Sequence, residues 1–426
     1  MESSPFRDGL VKAANGVTSL FPQGGAGVLD RIFYPLLGNR FLVDYFRKRN
    51  QRKVTRLPVP GRILVVSDIH IGDAVLLQTA VSALRDFFPD AKIDYMVKHS
   101  VACLLEGHPD ISTLRPLFTG GQFPNDQDLQ NVRKIAAEYD LVFNFCPFIN
   151  SGQFPEPQKV FNVVTQAPAF ARNEWKGRGI NHISYQAHRF IYEIFHPLYP
   201  LRRARAFEGP ALFLSQGAAE AAGRFEKESA GGEGPMVFLN PETASPFTQI
   251  PVRHQAEILS RLAELPCRIL MGEGHSDKGL AEKILWSLPI WKRGKVALVP
   301  SRLPLDVYAA LQDRSDVFIS GYTGPLHLAA ALKKSRERTH AFRNRTSVIS
   351  VFGATPPRLS GYDSFREDYL EAGQEAPSRV VQSESSCRNF SCMHKMGKAC
   401  DSRGCFRALD VDAVLSGVRD RFLSPA

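Results

Sequence analysis

No stretch of the 426 residues approaches the ~18 uninterrupted apolar positions that a membrane-spanning helix needs. The first residues carry no signal-peptide pattern, so the expectation is a soluble or surface-bound chain inside the cell. Cysteine is scarce, at 7 residues, which excludes a disulfide-stapled miniprotein, and no repeat of solenoid period is present. What is there is ordinary globular material, 44% hydrophobic and 23% charged, which excludes wholesale disorder and a collagen-like chain. Single cores stop growing near ~250–300 residues, so a chain of this length is expected to fold as at least two domains.

Acidic residues fall short of basic ones, 43 against 53, and the shortage is local. Residues 1–60 hold ten basic side chains and four acidic ones, a net +6 of the total +10. Such an arm suits an anionic partner and says nothing about fold. Within it Ile32, Phe33, Leu36, Leu37, Phe41, Leu42, Tyr45 and Phe46 recur at helical spacing before the basic cluster Arg47–Arg49. An interfacial helix with a basic collar and an ordinary helix packed on the body are both open readings. No arrangement of basic and aromatic residues resembles a nucleic-acid module, and no nucleic-acid partner is expected.

Beyond the Pro-rich hinge at 57–61 the pattern alternates strand and helix. Strands are expected at 61–67, 92–97 and 140–145, helices at 72–87, 99–106 and 185–196. A second alternating block has strands at 235–241, 267–272, 295–299, 316–320 and 346–353, with helices at 252–264, 277–286, 304–313 and 324–333. This predicts an α/β fold of two doubly wound parallel sheets, which bind ligands in a crevice at the carboxyl ends of their strands.

The segment Ser67–Val75, which ends the first strand and opens the first helix, permits two readings. Asp68 and His70 resemble the Asp-x-His opening of a two-metal phosphoesterase, but the later Asn-His and His-x-His elements that such a site needs do not follow. Asp73 instead lies in the first turn of the helix at the sheet's carboxyl edge. It can accept a proton from a substrate hydroxyl there, or simply cap the helix.

Residues 63–97 and 104–111, then 238–251, 321–332 and 351–362, resemble in order the motif blocks of glycosyltransferase family 9, the heptosyltransferases of lipopolysaccharide core synthesis. The resemblance implies a GT-B architecture of two Rossmann-like domains facing a cleft. It divides the chain into a basic, partly helical arm at 1–60, an acceptor-side domain at 61–215, a nucleotide-sugar domain at 216–385, and a Cys-rich segment with a final helix at 386–426. It implies an inverting, metal-independent sugar transfer to a lipopolysaccharide-core or other cell-surface glycan, with Asp73 as general base. Donor contacts are implied at Thr243, Thr248, Gly272, Leu303, Tyr322, Thr323, Gly324 and His327. The chain departs from the family pattern where a donor-loop Lys is replaced by Thr248 and an Asp by Tyr322. Arg253 and Arg302 are candidates to supply the missing positive charge, and Glu242 stands where the family has Gly. A donor other than ADP-heptose, or a non-catalytic nucleotide-sugar binder, are therefore alternatives. The implied place of action is the cytoplasm, peripheral on the inner face of the membrane.

Cys387, Cys392, Cys400 and Cys405, with His394 nearby, form a C-x4-C-x7-C-x4-C cluster. A structural zinc site, a disulfide and free thiols are all open for it. No cofactor is expected for catalysis.

Overall fold

The computed structural model describes residues 48, 50–67, 70–117, 125–146, 149, 151–162, 182–200, 202, 207, 209–230, 232–243, 248–274, 279–339, 347–353, 357, 361–362, 378–383 and 404–423. Most of the basic arm, Asp68, His394, Cys387, Cys392 and Cys400 lie outside them.

The first domain is a five-stranded sheet of β1 (Arg62–Val66), β2 (Lys92–Lys98), β3 (Thr113–Leu117), β4 (Leu141–Asn144) and β5 (Val160–Asn162), ordered β3-β2-β1-β4-β5. Every pairing is parallel, with Ile63 opposite both Ile93 and Leu141. Helices α1 (Ile71–Leu77), α2 (Thr79–Phe87), α3 (Asp126–Ala136) and α4 (Ile183–Phe195) accompany it. Strands covered on both faces have no polar side to show, and the last four residues of β1 are all buried.

The single helix expected over 72–87 is two. The break falls at Gln78, where the Thr79 hydroxyl lies 2.6 Å from Ser184 O and 3.0 Å from Leu76 O. A hydroxyl bonded back to the preceding turn competes with the helical ladder. Tyr95 donates its hydroxyl to Ala74 O at 2.7 Å, tying β2 to α1.

The second domain repeats the topology. Strands β6 (Met236–Asn240), β7 (Arg268–Gly272), β8 (Val296–Val299), β9 (Val317–Gly321), β10 (Val348–Phe352) and β11 (Ser378–Gln382) are ordered β11-β10-β9-β6-β7-β8, again all parallel. Helices α5 (Gln216–Ser229), α6 (Val252–Leu262), α7 (Leu280–Trp286), α8 (Ile290–Arg293), α9 (Leu305–Arg314), α10 (Gly324–Thr339) and α11 (Val411–Leu423) surround the sheet. In each sheet the strand order reverses once, between β1 and β4 and between β6 and β9, the switch point at which such folds open a crevice. The two-domain GT-B arrangement implied by the sequence is present.

Helix α11 seals one face of the second sheet. Val414, Leu415 and Val418 are fully buried in one cluster with Ile319, Ile349 and Val351. Arg379 of β11 reaches Ser416 Oγ at 3.0 Å and Asp420 at 2.7 Å. The first domain's main core does not stop at its own boundary, because Ala309 of α9 and Leu328, Ala331 and Leu332 of α10 belong to it.

Candidate functional site

Two helices leave the two switch points, α1 after β1 and α10 after β9, and their first turns touch. A Cβ built on Gly72 would lie 2.7 Å from His327 Cδ2 and 3.2 Å from Gly324 Cα. One built on Gly324 would lie 3.3 Å from Gly72 N and from Ile71 Cβ. Only glycine at both positions lets the helix starts approach this closely. Asp73 follows directly, in the first turn of α1, with its side chain about one-third exposed at 35%. Its Oδ2 is 3.8 Å from His70 Nδ1, an ion pair only when that half-exposed imidazole is protonated.

Across the junction Tyr322, Thr323 and Gly324 are partly exposed at the start of α10, whose sixteen residues direct a full macrodipole at this end. His327, one turn further in, is 2% exposed, and burial pushes its imidazole down to about 3, so the ring is neutral. Its Nδ1 is 2.7 Å from the Tyr362 hydroxyl, and burial with the nearby Tyr322 raises that phenol well above its ordinary value. Tyr322 packs edge-on to His327 at 5.7 Å and stacks on Phe352 at 5.9 Å. In place of the expected Asp there is thus an aromatic ring fixed between two others.

The loop after β6 supplies Thr243 and Thr248, both buried. Thr248 O would be 2.5 Å from a Cβ on Gly321, so this loop lies directly on the end of β9. A buried network holds it there. Asn240 donates to Glu242 O at 2.7 Å and to Ser320 Oγ at 3.1 Å, and Tyr308 donates to Asn240 Oδ1 at 2.8 Å. Burial and the Glu242 carboxylate both raise the Tyr308 phenol, which keeps that donor protonated. Gln255 donates to Pro241 O at 3.0 Å and Ile250 O at 2.7 Å from the other side. Sequence reasoning missed Asn240, Tyr308 and Ser320, because the bonds that reveal their roles join positions 68 and 80 residues apart, and it missed Gln255, whose side chain reads as an ordinary polar residue on a helix.

Gly272 ends β7, where a Cβ would stand 3.0 Å from the Tyr308 hydroxyl. Leu303 is partly buried against the core under α9. Arg302 is exposed, and so is Arg253, which donates from Nε to His254 Nε2 at 3.3 Å. Glu242 lies against Gly274, whose φ of +83° admits the close approach. The structure therefore gathers Thr243, Thr248, Gly272, Tyr322, Thr323, Gly324 and His327 at the carboxyl edge of the second sheet and brings Asp73 to them from the first.

Among the described residues no group of three or more His, Cys, Asp or Glu side chains is placed to hold a metal ion. Cys405 is partly buried against the α11 core; its three partners in the proposed cluster lie outside the described residues. Asp68 does too, so the two-metal reading of Asp68 with His70 has only His70 on view.

Residues 210–385 match the family model of glycosyltransferase family 9 (heptosyltransferase). Among solved structures the chain is similar to a family 9 glycosyltransferase of Veillonella parvula DSM 2008, at 16% identity and TM-score 0.61, with 85% of this chain and 97% of that one covered. It is similar to the ADP-heptose lipopolysaccharide heptosyltransferase II of E. coli, at 16% identity and TM-score 0.55 over 85% and 98% of the two chains. A third likeness is to the E. coli heptosyltransferase WaaC with ADP-2-deoxy-2-fluoro heptose, at 15% identity and TM-score 0.50 over 84% and 99%. These likenesses are of fold. No curated protein matches the chain by sequence.

Proposed function

We propose that this chain, whose residues 210–385 match the family model of glycosyltransferase family 9 (heptosyltransferase), moves a heptose or related sugar from a nucleotide-sugar donor to a lipopolysaccharide-core or similar cell-surface glycan, with inversion. The observation that carries the reading is the abutment of the Asp73 turn and the Thr323–Gly324 turn at the two switch points.

In the proposed reaction the Asp73 carboxylate takes the proton of an acceptor hydroxyl as its oxygen attacks the anomeric carbon. The bond to the donor diphosphate breaks on the opposite face, and the electron pair leaves with the diphosphate. Backbone N–H groups at the start of α10, the Thr323 hydroxyl and the helix dipole receive that charge without a metal. Neutral His327 adds no charge of its own; with Tyr362 it fixes the turn that presents those donors. Arg253 and Arg302 are assigned the compensation that Thr248 cannot give, since a guanidinium stays protonated and can fork onto phosphate oxygens. The basic arm at 1–60 is assigned to the inner face of the cytoplasmic membrane, where a lipid-anchored acceptor is met.

The test is Asp73→Asn, which keeps the shape and removes the base. Transfer should fall by about 10²–10⁴, while thermal stabilisation by the preferred member of an ADP-, GDP- and UDP-sugar panel persists. Near-normal transfer would remove Asp73 from the chemistry. A second reading, nucleotide-sugar binding without turnover, is favoured by the stacked Tyr322 in place of an Asp. Consumption of any nucleotide sugar in the presence of acceptor glycan would eliminate it.

A further inference from the structure

Among the described residues four large apolar side chains are strongly exposed, and three of them fall within six positions: Trp286 at 71%, Ile290 at 78% and Trp291 at 65%. They crown the turn between α7 and α8, at the amino end of the outer strand β8 and away from the carboxyl edge where the candidate site lies. Two tryptophans and an isoleucine side by side in water forgo the burial that usually places such residues inside.

The turn is rigid. Arg293 donates to Leu288 O and to Trp286 O, both at 3.0 Å, and its guanidinium covers the Trp286 ring at 4.4 Å. Lys292 is anchored to Ser260 and, at 2.6 Å, to Glu264, with its ammonium 4.8 Å from the Trp291 ring. Lys283, Arg293 and Lys295 lie in the same segment, beside Glu282.

We propose that Trp286, Ile290 and Trp291, framed by Lys283, Arg293 and Lys295, dock the second domain on an anionic phospholipid bilayer. Indole rings settle at the headgroup level, where an apolar face and a polar N–H are both satisfied, and the surrounding cations meet lipid phosphates. The charge selects this occupant over a second copy of the chain, because a two-fold contact would set the same cations against each other. Docking by β8 leaves the carboxyl edges of both sheets open. The proposal is independent of the sugar-transfer reading and of the arm at 1–60.

Two of the three tryptophans lie on this surface, so intrinsic fluorescence reports on it directly. In the full-length protein carrying Trp175→Phe, emission should shift to the blue and be quenched by brominated lipid in vesicles of phosphatidylcholine with phosphatidylglycerol. Both effects should fade with salt and with phosphatidylcholine alone. Trp286→Ser, Ile290→Ser, Trp291→Ser together should lower vesicle partitioning by at least tenfold, and Lys283→Glu by roughly an order of magnitude. Melting temperature and transfer to a soluble acceptor should remain unchanged in both variants. Unshifted emission with anionic vesicles, partitioning unchanged by the triple substitution, or self-association abolished by it while lipid binding stays, would each overturn the proposal.

Discussion

His327 shows how much a single side chain's surroundings alter its meaning. From the motif it reads as a donor ligand; in the fold it is buried, neutral and committed through Nδ1 to Tyr362, 35 positions later. Its folded value of about 3 lies below the ordinary 6.5, so between those values the unfolded chain binds a proton that the folded chain refuses. Stability is complete above that ordinary value and falls as pH drops toward the lower one, by about 1.4 kcal/mol per pH unit for this group. His254, also held below its ordinary value by burial and by Arg253, acts with the same sign. Denaturant titrations from neutral pH downward should show a visibly shallower loss in His327→Gln than in the parent. Parallel slopes would mean that His327 is not the neutral buried group described. The sequence motif could mark this residue but not its partner, because nothing local signals which phenol will close on which imidazole.

At the scale of elements, ion pairs do what apolar periodicity does elsewhere. Helix α5 is rich in alanine and charge and escapes an apolar-period reading, yet its Ala218 and Ala222 are buried in the second domain's core while its Glu226 bonds Arg268 of β7 at 2.8 Å and Arg314 of α9 at 2.6 Å. Burial favours the neutral form of Glu226, but the two guanidinium bonds outweigh it and hold the carboxyl below its usual range. Glu226→Ala should therefore cost about 1.5–3 kcal/mol in chemical denaturation at neutral pH. An unchanged midpoint would show the pairs to be energetically idle. Strands such as β1, β6 and β9 were legible because a strand buried on both faces is an uninterrupted apolar run. Strands β3, β5 and β11 were not, since edge strands can be short, carry Pro116, or show polar residues such as Ser378 and Arg379. Helix α3 has few apolar positions and is secured by the reciprocal Asn125–Asp128 cap instead.

At the scale of the molecule, the two domains share a core. Leu328, Ala331 and Leu332 of α10 are buried with Val75 and Leu77 of α1 and Ala80 of α2. Sequence alone divides the chain cleanly at about 215; the shared core blurs that division, because a helix of one domain completes the interior of the other. Calorimetric unfolding should accordingly give one transition rather than two. Two resolved transitions would show that the domains melt independently. The placement of α11 has a different consequence, in the order of events during synthesis. Domains generally fold as they emerge, and the first has all its strands early. The second sheet must wait: its Ile349–Val351 face is covered by a helix translated after every strand it seals. A nascent chain halted before residue 411 thus offers a greasy, nearly finished sheet to chaperones and proteases, so a truncated message is betrayed by its product.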